Sequence, residues 1–375
     1  MYIYIITFAI SIITYIFISR GKNKLSVKGK TSTWKLLRVN NCRFGLFCAS
    51  LAPMMVAALR YEVGTDYRGT YYCGFFRIMD RGNVDGFEIG YYYFVKLIQI
   101  FTDNPYSLFV ITSIIFVGMT YKSIGELSDD IPFSILLFFL TRYYFVGLNG
   151  VRQFISLSIL AFSIKYVIEK NFKKFMLFIL IASIFHYMSI LFVPVYFLGR
   201  FKLSLKRIIL FSVAVVVFFK LGFSFLLFFL GGTKYGILLT KYNVCGIKFT
   251  IFTIALNAIL FFISYKNYDV RKNDEKYIVF LNIQFFAFLA ALVIHTIPQM
   301  ERVYWIYSFP IIVTLPYLLS GYTNTKTRQI LKWGLITILL IYLLYDIIVL
   351  GDHGVLPYNI WIGKPIVHYS GFNWY

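Results

Sequence analysis

The chain has 375 residues, 59% of them hydrophobic and 21% aromatic but only 14% charged, with a mean hydropathy of +0.73. A soluble domain carries about 25% charged residues, so too few polar side chains are present to cover a water-soluble globule. The formal net charge of +21 suits a nucleic-acid binder only until position is considered. Lys and Arg gather in short segments between apolar runs, as in cytoplasmic loops under the positive-inside rule.

Apolar runs of roughly 17–25 residues, the length that crosses a hydrocarbon core as a helix, recur along the whole chain. Runs such as ILLFFL and FSVAVVVFF are continuous, whereas strands of a membrane β-barrel alternate. The first run, 3–18, has no basic residue before it and eight after it, from Arg20 to Arg43. A signal peptide has the opposite arrangement, so this is a first spanning helix with its N-terminus outside. Further runs follow at 44–59, 105–121, 132–149, 152–168, 174–186, 187–199, 207–222, 248–265, 277–294, 302–320 and 332–350. The expectation is an all-α transmembrane bundle of about twelve helices, with both termini outside and residues 1–375 forming one domain. The stretch 175–198 is one apolar run flanked by basic loops at both ends. It reads as two short helices meeting near His186, because a single span would move Arg200–Arg207 to the outside.

On this map the inner loops are rich in Lys, while Arg60, Arg68, Arg77, Arg81, Arg142, Arg152 and Arg302 fall at the outer face. So do His186, His295, His353 and His368. Long outer segments are expected at 60–104 and 223–248, with an aromatic outer tail at 351–375. Cys42, Cys48, Cys73 and Cys245 show no metal-ligand spacing and read as free thiols.

Four clusters on that face carry candidate chemistry. In RYEVGTDYRGTYY, Arg60 and Arg68 flank Asp66, with Tyr67 and other tyrosines interleaved. Guanidinium groups grip phosphate in a bidentate manner, and tyrosine rings suit sugars. A loop of ordinary interfacial anchors has the same composition. In NGVRQF, Arg152 and Gln153 open a helix, whose N-terminus favours anions; the alternative is a snorkelling Arg. Arg142 lies deeper in an apolar run, where an Arg is costly. In IASIFHYMS, His186 is either a hydrogen-bonded packing residue or a candidate general base. In HTIPQMERVYW, Glu301, Arg302 and Tyr304 bracket a helix mouth, or form a local ion pair of small value. No HExxH, Walker loop or nucleotide-binding Gly-rich motif occurs.

The order R-Y-x-V-G-T-D-Y, V-R-Q, I-A-S-x-F-H-x-x-S and E-R-x-x-x-Y resembles the EpsG-like family of Wzy-type polysaccharide polymerases, from about Arg60 to the final helix. The resemblance implies a metal-independent glycosyltransferase of the bacterial cytoplasmic (inner) membrane, with no cofactor and its active site facing the periplasm or outer side. Its donor and acceptor would be glycan repeat units on undecaprenyl diphosphate, for O-antigen, capsule or exopolysaccharide. Its partners would be membrane lipid and a chain-length-determining co-polymerase, with no nucleic acid. In that chemistry Arg60, Arg68, Arg142, Arg152, Arg302, Gln153, Tyr67 and Tyr304 would hold diphosphate and glycan. His186, Asp66 or Glu301 would serve as general base. The rival readings are a lipid-linked oligosaccharide flippase and a membrane O-acyltransferase.

Overall fold

A computed structural model describes residues 1–20, 32–81, 87–230 and 244–368. The basic segment 21–31, the centre of the second expected outer loop (231–243), Asp85 and the last seven residues lie outside the described set. Among the described residues helices are the only regular secondary structure, apart from one isolated bridge between Arg60 and Ile360. Within a membrane this follows from the backbone, whose N–H and C=O groups must all be satisfied inside the chain.

Among the described residues, eight helices are long and apolar enough to cross a membrane: α1 (Tyr2–Arg20), α2 (Ser32–Leu59), α5 (Tyr106–Leu127), α8 (Val151–Ile168), α11 (Leu205–Leu230), α12 (Ile247–Tyr265), α14 (Glu275–Leu292) and α17 (Thr325–Leu344). Two bent pairs raise the number to ten. In the first, α6 (Ile131–Leu140) and α7 (Tyr143–Asn149) meet at 52°. Arg142 stands at that break in the left-handed region, φ +67°, which ends one helix and starts another. In the second, α15 (Glu301–Ser308) and α16 (Ile311–Leu319) meet at 46° across Pro310, whose ring nitrogen cannot donate to the helix. Shorter helices are α3 (Cys73–Arg81), α4 (Ile89–Gln99), α9 (Phe172–Phe185), α10 (Pro194–Leu198) and α13 (Tyr268–Arg271).

The chain divides into two compact units. One contains 1–162, 180–187 and 329–375; the other contains 163–179 and 188–328. In the first unit, α1, α2 and α5 pack around Tyr4, Phe8, Phe138 and Tyr144, which meet edge to face. Toward one end of this unit Arg43 of α2 pairs with Glu126 near the end of α5, and Lys332 of α17 pairs with Asp130. Asp130 also caps α6 by accepting the Phe133 N–H at 3.1 Å. At the opposite end the tail folds back on the end of α2. Trp361 donates its backbone N–H to Leu59 and its indole N–H to Ala58, both at 3.0 Å, and Tyr358 donates to Val56. Tyr4 donates to Val355 at 3.0 Å. The start of α1, the loop after α2 and the C-terminal tail therefore share one end of this unit.

In the second unit α12 and α14 pack through Phe261, Phe285 and Phe288. A buried polar chain joins them: Gln284 donates to Asn257 at 3.2 Å, and Asn257 donates to the Tyr304 hydroxyl at 2.9 Å. The 175–198 run is broken as its flanking charges require. Helix α9 stops at Phe185, and a 3₁₀ segment, Tyr187–Phe192, leads into α10. Phe172 meets Tyr196 at 5.0 Å and Phe197 at 5.7 Å, and the Arg200 guanidinium donates to the Val167 carbonyl. The two short elements thus form a hairpin that returns to its starting end; its tip, 180–187 with His186, belongs to the first unit.

Candidate active site

The loop after α2 is shaped by its glycine and its neighbours. Gly64 adopts φ +104°, and an added Cβ would meet the Leu148 carbonyl at 3.3 Å. Asn149, at the end of α7, accepts from the Asp66 backbone N–H at 2.8 Å and is hydrogen-bonded to the Thr65 hydroxyl. From the tail, the Gly354 and His353 carbonyls accept from Gly64 and Thr65. Residues 67–72 then form a π-helical turn, a distortion found often at functional sites, which buries Tyr67, Tyr71 and Tyr72.

The turn delivers the Tyr71 hydroxyl to the Arg152 guanidinium, to which it is hydrogen-bonded. Arg152 also pairs with Glu88 and lies over the rings of Phe87, at 5.3 Å, and Tyr91, at 5.5 Å. The second oxygen of Glu88 is 2.8 Å from His186 Nδ1. One carboxylate therefore joins two residues singled out in the sequence, the Arg of NGVRQF and the His of IASIFHYMS. The meeting depends on Gly90, since a Cβ there would fall 1.9 Å from Ile184 Cγ2 and 2.6 Å from the Ile184 carbonyl. Burial works to raise the Glu88 carboxyl, but the His186 hydrogen bond and the Arg152 charge outweigh it and hold the group below the usual carboxylate range. His186 is only 5% exposed, and its Nε2 is buried without a hydrogen-bond partner.

The remaining candidates in this unit have other settings. Arg60 is 1% exposed; it donates to Ala57 and, at 3.4 Å, to Ser113, and it lies over Phe109. Tyr67 stacks on the same Phe109 ring at 4.3 Å. Arg68 is 55% exposed beside Glu62, in a shallow recess with Tyr61, Tyr72 and Val367. Asp66 is half-buried and Gln153 buried. Arg142 is buried against Asp346, with Asp352 at 3.8 Å and the Tyr342 ring at 4.5 Å. It ties the break between α6 and α7 to the end of α17.

Glu301, Arg302 and Tyr304 belong to the second unit. Glu301 accepts from the Cys245 thiol at 3.1 Å, and His295 Nδ1 is 2.5 Å from the Cys245 carbonyl. Burial and the Glu301 charge push the Cys245 thiol up to about 12. Tyr304 is a core residue packed on Ala290, Ala291 and Ile294, and Arg302 is half-buried. A cavity of about 340 Å³ in this unit is lined by apolar side chains, among them Leu191, Phe211, Val215, Phe285 and Leu289. All four cysteines are free thiols. Among the described residues no three His, Cys, Asp or Glu side chains gather as a metal ion would require.

Glu88 is the residue that sequence reasoning passed over. It lies 64 positions before Arg152 and 98 before His186, among other scattered acids and in no pattern of its own. The usable signal was chemical: a buried His and a half-buried Arg both call for an anion.

Fold and site together define a polytopic helical membrane protein in which a half-buried Arg152–Glu88 pair meets the buried His186. Residues 43–360 match the EpsG family, and the chain belongs to that family. Comparison with curated proteins and with solved structures returned no match. Membership supports a role in membrane polysaccharide polymerisation in broad terms.

Proposed function

We propose that the protein polymerises glycan repeat units carried on undecaprenyl diphosphate, at the outer face of the bacterial cytoplasmic membrane. The observation that carries this reading is the convergence of Arg152 and His186 on Glu88, which places an anion-binding group beside a base in a water-poor setting. The acceptor hydroxyl gives its proton to His186 while its oxygen bonds to the anomeric carbon of the donor glycan. The bond from that carbon to the lipid diphosphate breaks, and the diphosphate leaves with the electron pair. Arg152, at the N-terminus of α8, is placed to stabilise the charge that develops on it. Arg68, exposed beside Tyr61 and Tyr72, offers a second contact for diphosphate or sugar. An apolar cavity in the second unit suits hydrocarbon and not glycan.

The reaction proceeds without a metal ion in this account, because guanidinium groups neutralise the leaving group. The test is polymer formation from lipid-linked repeats by purified Arg152→Lys and His186→Ala in excess EDTA. Lys keeps the charge but loses the planar fork, so Arg152→Lys falls at least about 10-fold, and His186→Ala at least about 100-fold. Unchanged rates in both variants, or loss of wild-type activity in EDTA with recovery in Mg²⁺, would overturn the reading.

A further inference from the structure

We propose that Glu88 is the positioning residue for His186: it fixes the proton on Nδ1 and thereby makes Nε2 the base that receives the acceptor hydroxyl. This rests on the polymerase reading and names the atom through which that reading acts.

The argument starts from hydrogen-bond capacity. An ionised carboxylate can only accept. Glu88 has Arg152 on one oxygen and His186 Nδ1 at 2.8 Å from the other, so in neutral His186 the proton must sit on Nδ1. The lone pair is then on Nε2. That nitrogen is buried and has no partner in the protein, although buried polar atoms are nearly always satisfied. A lone pair without a donor marks a place for a donor, and an acceptor hydroxyl is one. The ring nitrogen that bonds the carboxylate and the one that does the chemistry are thus distinct, as general-base histidines require.

The backbone holds this arrangement by symmetry of spacing. Gly90 touches Ile184, and Glu88, two residues before that glycine, meets His186, two residues after that isoleucine. Around the pair stand Arg152, the Tyr71 hydroxyl bonded to it, the rings of Phe87 and Tyr91, and the Tyr187 ring 5.7 Å from that of His186. When Nε2 takes the hydroxyl proton, the resulting imidazolium stays bonded to an anionic Glu88, which remains ionised throughout. The proton then leaves to water.

The experiment uses the full-length protein in lipid nanodiscs with ¹⁵N-labelled histidine rings. The His186→Gln protein identifies the His186 signals among the four histidines. At pH 8 wild type should show a protonated Nδ1 and an unprotonated Nε2; a protonated Nε2 overturns the assignment. Glu88→Ala should lose the preference. Where that variant fails to fold, by elution profile and melting, the wild-type spectrum still decides.

The second arm measures kinetics with lipid extract from cells lacking this chain as the substrate. Glu88→Gln should lower kcat at least about 100-fold with KM within about 3-fold, and Glu88→Asp should recover part of the loss. Wild-type kcat in Glu88→Gln would also overturn the assignment. A wild type that forms no polymer defeats the polymerase reading alone, since the nitrogen spectrum is read without substrate.

Discussion

Two arginines of the first unit, the buried Arg142 and the half-buried Arg152, do different work. Arg142 is enclosed by Asp346, Asp352 and Tyr342, and removing one partner of a buried ion pair costs about 3–5 kcal/mol. Arg142→Ala should therefore lower the melting temperature of the purified protein by several degrees. Arg152→Lys should melt near wild type and lose activity instead. A stable, inactive Arg142→Ala would show that Arg142 contacts substrate. Glu88 makes a second prediction, with a sign. Its folded carboxyl titrates below the ordinary value of 4.5, so its contribution to stability is complete above that value and is lost as pH falls through the folded one. The stability gap between wild type and Glu88→Gln should be constant from pH 6 upward and close on acidification below about pH 4.5. A gap that widened in acid would contradict the assignment.

Among the elements, α4 and the hairpin tip depend on one glycine. Gly90→Ala forces a methyl into Ile184, and overpacking of this kind costs about 1–3 kcal/mol. Polymer formation should drop more than this destabilisation explains, because the same displacement parts Glu88 from His186. Melting and rate measured on one preparation would separate the two effects. Most elements were legible in the sequence, because a membrane span declares itself by length and apolarity. The hairpin at His186 was legible too, since basic residues at both ends of 175–198 exclude a single crossing. The bends inside 132–149 and 302–320 were not anticipated. One is made by Arg142 in a left-handed conformation that no local pattern announces; the other coincides with Pro310, whose effect inside an apolar run depends on its neighbours.

At the scale of the whole molecule, the C-terminal tail, the loop after α2 and the start of α1 meet at one end of the first unit through backbone carbonyls of the tail and α2. The accepting carbonyls are alike in every residue, so the Tyr and Trp donors of α1 and the tail did not show in the sequence where the tail docks. On the charge pattern this end is expected outside. Accordingly, Lys28→Cys in a Cys-free background should resist a membrane-impermeant maleimide in intact cells and react after lysis; labelling in intact cells would reverse the topology. Glu88 was illegible for a related reason: its meaning comes from partners far along the chain, brought to it by α8 and the hairpin tip. The central claim is that this chain forms glycosidic bonds between lipid-borne repeats. Its most direct test is purified protein in liposomes, supplied with lipid extract from cells lacking the chain and with EDTA. The account predicts a ladder of lengthening glycan with stoichiometric release of undecaprenyl diphosphate. Transfer of intact repeats across the bilayer without new bonds, or addition of an acyl group alone, would contradict it.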